Sequence, residues 1–121
     1  MRKGILITGT DTGAGKTAVS AILLAILRKS GIDAVPMKPI QTGCKTSNGR
    51  LMAPDLDFML KFGGIKPANA DRNLMCPYMF KPACSPHLAS AMAGKSISLT
   101  RIKKCFCKLS SRHEMVIVEG A

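Results

Sequence analysis

Gly9-Thr10-Asp11-Thr12-Gly13-Ala14-Gly15-Lys16-Thr17 stands between a short apolar run, Gly4-Ile5-Leu6-Ile7-Thr8, and a helical pattern that continues from Lys16 to Ser30. The run before it is β-branched and bounded by glycines, which suits a strand buried on both faces of a parallel sheet. Gly31 is well placed to end the helix after it. A glycine-rich loop between strand and helix has the context of a phosphate-cradling loop. Small residues let backbone N–H groups face phosphate oxygens, and the helix N-terminus adds partial positive charge where the anion sits. Lys16 would then reach the β- and γ-phosphates, and the Thr17 hydroxyl would coordinate Mg²⁺. A tight turn alone would account for the glycines but not for Lys16-Thr17. The spacing is unusual, with five residues between Gly9 and Gly15 where the common loop has four.

The 121 residues suffice for one domain with a core. With 46% hydrophobic and 21% charged residues, the composition is that of a folded globular chain rather than a disordered one. Ala18 to Leu27 is the longest apolar run, about half of a membrane span, and Ser20 interrupts it. Neither it nor the N-terminus reads as a signal or an anchor, so the cytoplasm is the expected compartment. The net charge of +11, with no acid between Asp71 and Glu114, would suit anionic partners or a solvated basic face. Only five aromatic residues are available to stack on bases, which argues against nucleic acid. Five cysteines without a two-residue pair spacing read as free, mostly buried thiols. Cys105 and Cys107 would point about 200° apart on a helix.

Further along, Asp33 to Met37 reads as a second strand, at an end or edge because Pro36 removes a donor. Residues 44–54 read as a polar loop, Asp55 to Phe62 as a helix closed by Gly63-Gly64, and 65–86 as irregular. His87 to Met92 suggests a short helix. Ser98 is a plausible N-cap for another, with Leu99, Ile102, Phe106 and Leu109 as its apolar stripe. The near-continuous apolar residues of the first helix suggest packing on more than one side. Met115-Val116-Ile117-Val118 is a third buried strand. The plan is α/β: a P-loop NTPase-like parallel sheet flanked by helices, ending after the third core strand. An exposed edge on that last strand would invite aggregation.

Several polar residues fall where such a sheet collects ligands. Lys38, in Lys38-Pro39-Ile40-Gln41-Thr42-Gly43, follows the second strand at its carboxyl end; a surface lysine before a turn is an equal reading. Asp55 could be a helix cap or a site residue. Glu119, just past the third strand, could complete a Mg²⁺ shell or be a solvated strand end. Ser85-Pro86-His87 reads as a turn into a helix, without a nucleophilic triad. His113 reads as a surface residue.

Taken together, Thr8-Gly9-Thr10-Asp11-Thr12 through Gly15-Lys16-Thr17, Lys38 to Gly43, Asp55, Ser85-Pro86-His87 and Val118-Glu119-Gly120-Ala121 resemble the dethiobiotin synthetase family in order and in loop spacing. The resemblance implies an ATP-dependent ligase of biotin biosynthesis. Such an enzyme closes the ureido ring of dethiobiotin from 7,8-diaminononanoate, CO₂ (or bicarbonate) and ATP. It further implies that Gly13, Ala14, Gly15 and Lys16 bind nucleotide, and that Thr17, Asp55 and Glu119 hold Mg²⁺. Lys38, Lys16 and Thr12 would be catalytic, and Thr42, Ser85, Pro86 and His87 would contact substrate. Family members are longer and homodimeric, so residues 1–121 are expected to form a single nucleotide-binding domain, the N-terminal half of the enzyme, and activity of so short a chain is doubtful. The same nucleotide fold serves cobalamin-pathway amidotransferase-type ligases and DNA-binding partition-type ATPases. Lys38 to Gly43 favours the biotin pathway over the former, and Thr10-Asp11 stands where the latter carry an extra lysine.

Overall fold

Three aliphatic runs become parallel strands because each can bury side chains on a sheet while helices carry the chain back across it. In the computed structural model, which describes residues 3–9 and 14–120 (Ala14 by its backbone alone), these are β1 (Gly4–Ile7), β2 (Ala34–Met37) and β7 (Met115–Glu119), in spatial order β1-β7-β2. Ile5 pairs with Ile117, and Val35 with Val116, so the carboxyl ends of all three strands lie at one edge. The last strand is therefore central, paired on both sides. The expected exposed edge belongs to β1 and β2 instead, and Pro36 sits, as its missing N–H requires, on an edge strand.

All four residues of β2 are buried although it is an edge strand, whereas the burial on both faces expected of β1 does not hold. Leu6 is 65% exposed. That face of the strand opens on a shallow apolar pocket that Leu6 shares with Leu99, Ile102 and Phe106. Helix α1 (Ala14–Lys29) packs Thr17, Ser20, Ala21 and Leu24 inward against the sheet and α2 (Pro54–Phe62). Val19, Ile22 and Ile26 remain about half exposed, so its apolar circumference is only partly used. Gly31, at φ +87°, ends α1 in the left-handed conformation that glycine adopts without strain, and the Ile32 N–H returns to the Leu27 carbonyl.

Two regions read as irregular are structured. Within residues 44–54, β4 (Lys45–Ser47) and β5 (Arg50–Met52) form an antiparallel hairpin. Asn48 and Gly49, both at positive φ, make its turn. The Asn-Gly signal was present, but the exposed strands have no apolar alternation. Within 65–86, α3 (Asn69–Met75) is followed by β6 (Tyr78–Met79), which pairs in parallel with β3 (Ile40–Gln41). Two-residue strands are too short to leave a periodic pattern. The remaining helices are α4 (Pro86–Met92), with Ser85 accepting from the Leu88 N–H, and α5 (Leu99–Arg112), with Ser98 accepting from the Arg101 N–H. Cys105 and Leu109 are the buried apolar residues of α5, whereas Leu99 is 80% exposed and leaves the expected stripe. Arg101, Lys103, Lys104 and Lys108 face solvent as a basic surface. No helix among the described residues is long and apolar enough to cross a membrane.

His113, read as a surface residue, is instead held between elements far apart in sequence. Its Nδ1 lies 2.9 Å from Asp33 and its Nε2 3.2 Å from Asp71, with 17% of the side chain exposed. Asp71 also accepts from Arg112 at 2.6 Å, and that hydrogen bond, followed by the one from His113, holds its carboxyl below the usual carboxylate range. A carboxyl depressed in the folded chain contributes stability above its unfolded pKa, and the contribution disappears as pH falls through the folded value. The urea midpoint of Asp71→Asn should therefore lie below that of the parent at neutral pH, and the two should converge as the solution is acidified. A gap independent of pH would show that the contact is not ionic.

Candidate active site

The carboxyl edge of the sheet is built from three chain segments that leave β1, β7 and β2 side by side. Gly120, immediately after β7, donates its N–H to the Ile7 carbonyl on β1 at 2.9 Å. Lys38, immediately after β2, is anchored by its own N–H to the Met75 carbonyl at 2.7 Å. Its side chain, 6% exposed, turns toward the end of β7. There the Lys38 Nζ donates to Glu119 Oε2 and to the Gly120 carbonyl at 3.1 Å, and forms an ion pair with Asp55 Oδ2 at 3.1 Å. The Lys16 Nζ, from the first turn of α1, reaches the same Gly120 carbonyl at 3.5 Å. Two cationic side chains thus converge on one carbonyl at the switch between strands, the usual location of a ligand in an open α/β sheet.

Asp55 arrives from α2, whose N-cap is Ala53 and which carries Pro54 in its first turn. Alanine offers no capping oxygen, and Gln41 on β3 supplies one: its Oε1 accepts from the Asp55 N–H at 3.1 Å. These groups line a cavity of about 560 Å³ together with Ile40, Thr42, Ala83, Cys84, Ser85 and Pro86. Of the residues expected at the site, Lys16, Lys38, Thr42, Asp55, Ser85, Pro86 and Glu119 share this cavity. His87, in the first turn of α4, is exposed and is not among the residues that line it. Thr17 is buried on α1 beside Lys16 but is not part of the cavity wall, and Gly15 is exposed. Thr12 and Gly13, and the side chain of Ala14, lie outside the described residues.

Glu119 is the telling group. It is 1% exposed, and its Oε1 has no hydrogen-bond partner among the described residues. An orphaned carboxylate oxygen in a buried position is costly unless something is meant to meet it. Asp55 beside it makes an all-oxygen donor pair of the kind that hard divalent cations such as Mg²⁺ take. No group of three His, Cys, Asp or Glu among the described residues could hold a metal, so a Mg²⁺ here would need the Thr17 hydroxyl or the nucleotide for its other ligands.

The fold, the loop position and the converging lysines and carboxylates agree with a family model described as an AAA domain, which matches residues 3–121. The chain belongs to this AAA domain family. Among curated proteins, the AAA domain is 41% identical to the ATP-dependent dethiobiotin synthetase BioD of Fusobacterium nucleatum subsp. nucleatum, over 98% of this chain and 52% of that protein. It is 36% identical to the enzyme of the same name from Clostridium novyi (strain NT), over 100% of this chain and 50% of that protein. The chain thus spans about half the length of the curated relatives it matches.

Two features of the AAA domain were not found from sequence alone. One is Gln41, quoted within a motif but given no part in the site. The other is that Lys38 pairs with the same two carboxylates expected to hold the metal. Two buried thiols lie near the site: burial pushes the Cys76 thiol up to about 12 and raises Cys44, which donates to the Gln41 carbonyl at 3.3 Å.

Proposed function

We propose that this chain is the nucleotide-binding α/β domain, residues 1–121, of an ATP-dependent dethiobiotin synthase of biotin biosynthesis. The observation that carries the reading is the Lys38 ammonium set between Asp55 and Glu119 at the carboxyl edge of the sheet, with Lys16 converging on the same carbonyl. The names of the relatives support the substrate class.

In the reaction, one amine of 7,8-diaminononanoate takes up CO₂ as a carbamate. A carbamate oxygen attacks the γ-phosphorus of ATP and displaces ADP, leaving a mixed carbamic–phosphoric anhydride. The second amine attacks the carbamate carbon, phosphate departs, and the ureido ring closes. Phosphoryl transfer of this kind depends on positioning and charge stabilisation rather than on a protein nucleophile. Lys16 grips the phosphates, assisted by the backbone of Gly13, Ala14 and Gly15. Mg²⁺, when bound by Thr17, Asp55 and Glu119, neutralises phosphate charge. Lys38 exchanges one carboxylate contact for the carbamate and γ-phosphoryl oxygens between which negative charge is shared. Thr12 and Thr42 donate to the carbamate, and Ser85 and Pro86 shape the wall against which the substrate lies. The complete enzyme acts as a cytoplasmic homodimer.

The test is phosphate release from Mg-ATP by this chain and by a chain extended to the full length of its relatives. Release is expected to require both diaminononanoate and bicarbonate, and to fall at least a hundredfold in Lys16→Ala. Release in the extended chain that ignores both additions would overturn the assignment.

A further inference from the structure

Asp55 is aimed by a single side chain that nothing in the reaction requires to touch substrate. The Gln41 side chain is buried, and both ends of its amide are hydrogen-bonded. Oε1 accepts from the Asp55 N–H at 3.1 Å, while Nε2 donates to Asp55 Oδ2 at 3.3 Å and to the Thr42 carbonyl at 2.9 Å. The pattern also settles the orientation of the amide, because a flipped group would point its NH₂ at the Asp55 N–H. The backbone of Gln41 is equally fixed: its carbonyl accepts from the Phe80 N–H at 2.8 Å, and Gln41 pairs with Met79 across β3 and β6.

Gln41 therefore holds both ends of one residue, the main chain that starts α2 and the carboxylate that enters the site. Oδ2 of Asp55 is taken by Gln41 and by Lys38. With that oxygen held, rotation about the Asp55 side-chain torsions is restricted, and the other oxygen keeps one direction. We propose that Gln41 is a positioning residue, which orients Asp55 as a ligand for the divalent cation that accompanies the nucleotide. The proposal rests on the reading of Asp55 as a metal ligand. It assigns to a neutral amide outside the cation's coordination sphere a share of the metal affinity, as outer partners of ligating carboxylates have elsewhere. Because it also caps α2, a plain loss of affinity would not distinguish steering from softening of the helix.

A double-mutant cycle makes that distinction. Mn²⁺ binding in the presence of ADP is followed by electron paramagnetic resonance in the parent, Gln41→Met, Asp55→Asn and the double variant. Gln41→Met is expected to weaken Mn²⁺ about tenfold, but less than twofold when Asp55 is already asparagine. Gln41→Asn, which shortens the reach by one methylene while keeping a polar group, should weaken it similarly and guards against a Met variant that does not fold. Equal losses in both backgrounds would overturn the steering role and leave only a cap. If Asp55→Asn weakens Mn²⁺ and neither Gln41 variant does, the inference fails while the metal reading stands. If Asp55→Asn has no effect, both fall.

Discussion

Lys38→Met is expected to lower the unfolding free energy by about 3–5 kcal/mol, the cost of removing one partner from a buried ion pair. The magnitude follows from where the carboxylate is left. Glu119 is 1% exposed, Lys38 is its one described partner, and its second oxygen is already without a donor. Methionine fills the space of the lysine stem but donates nothing, so the carboxylate must be protonated, hydrated or exposed. Asp55 suffers less, since 34% of its side chain is exposed and Gln41 still donates to it. Removing the charge from both partners should behave differently: Lys38→Met/Glu119→Leu is expected to regain more than half of the loss, because a buried pair replaced by apolar groups of similar volume is often nearly neutral. Urea unfolding of the three proteins measures it. A Lys38→Met midpoint equal to that of the parent would mean the ion pair does not form in solution. The double variant, which lacks both the proposed catalytic lysine and a proposed Mg²⁺ ligand, should release no phosphate however stable it is, which separates the stability role of the pair from its proposed role in the reaction.

Phe80→Ala is expected to cost about 3–5 kcal/mol, the range for truncating a buried phenylalanine. Phe80 is 2% exposed in a small second core with Tyr78 and Ala89, and its ring lies 6.2 Å from that of Tyr78 at 24°. Ile40 and Cys84 pack against this core and also form part of the cavity wall. Its loss should therefore loosen the site as well as the fold, seen as weaker Mn²⁺·ADP binding under conditions where the variant remains folded. Phe58→Ala is the control. Phe58 is 47% exposed and stacks on the exposed Phe62 at 5.9 Å, so its loss should cost less than about 1 kcal/mol. Equal losses from the two substitutions would show that the second core does not exist as described.

The first strand and the helix that follows it, the α/β plan and the caps at Ser98 and Gly31 were legible because each is local. Strand, loop and helix follow one another within a few residues, and periodicity and turn chemistry act over the same distance. Lys38 and Glu119 could be placed near one another for a related reason, whereas Asp55, which opens a helix, was placed with them by the family resemblance alone. In a parallel sheet, residues just past the strand ends share an edge whatever the order of the strands. The hairpin at Asn48-Gly49 was missed because its strands are exposed. The β3–β6 pair was missed because two residues cannot show a period. His113 was misread because both of its carboxylate partners are far away in sequence.

By itself, then, the sequence determined the class of fold and the edge of the sheet at which Lys38 and Glu119 meet. Tertiary structure alone decided that the last strand is central, that His87 stays off the cavity wall, and that Gln41 meets Asp55. It alone also decided that Lys38 lies against Glu119, 81 residues away. Local patterns record only whether a residue prefers burial and which backbone it favours. Which distant group it meets is set by strand order and helix packing, and for a buried charge such as Glu119 that meeting determines both its cost and its use.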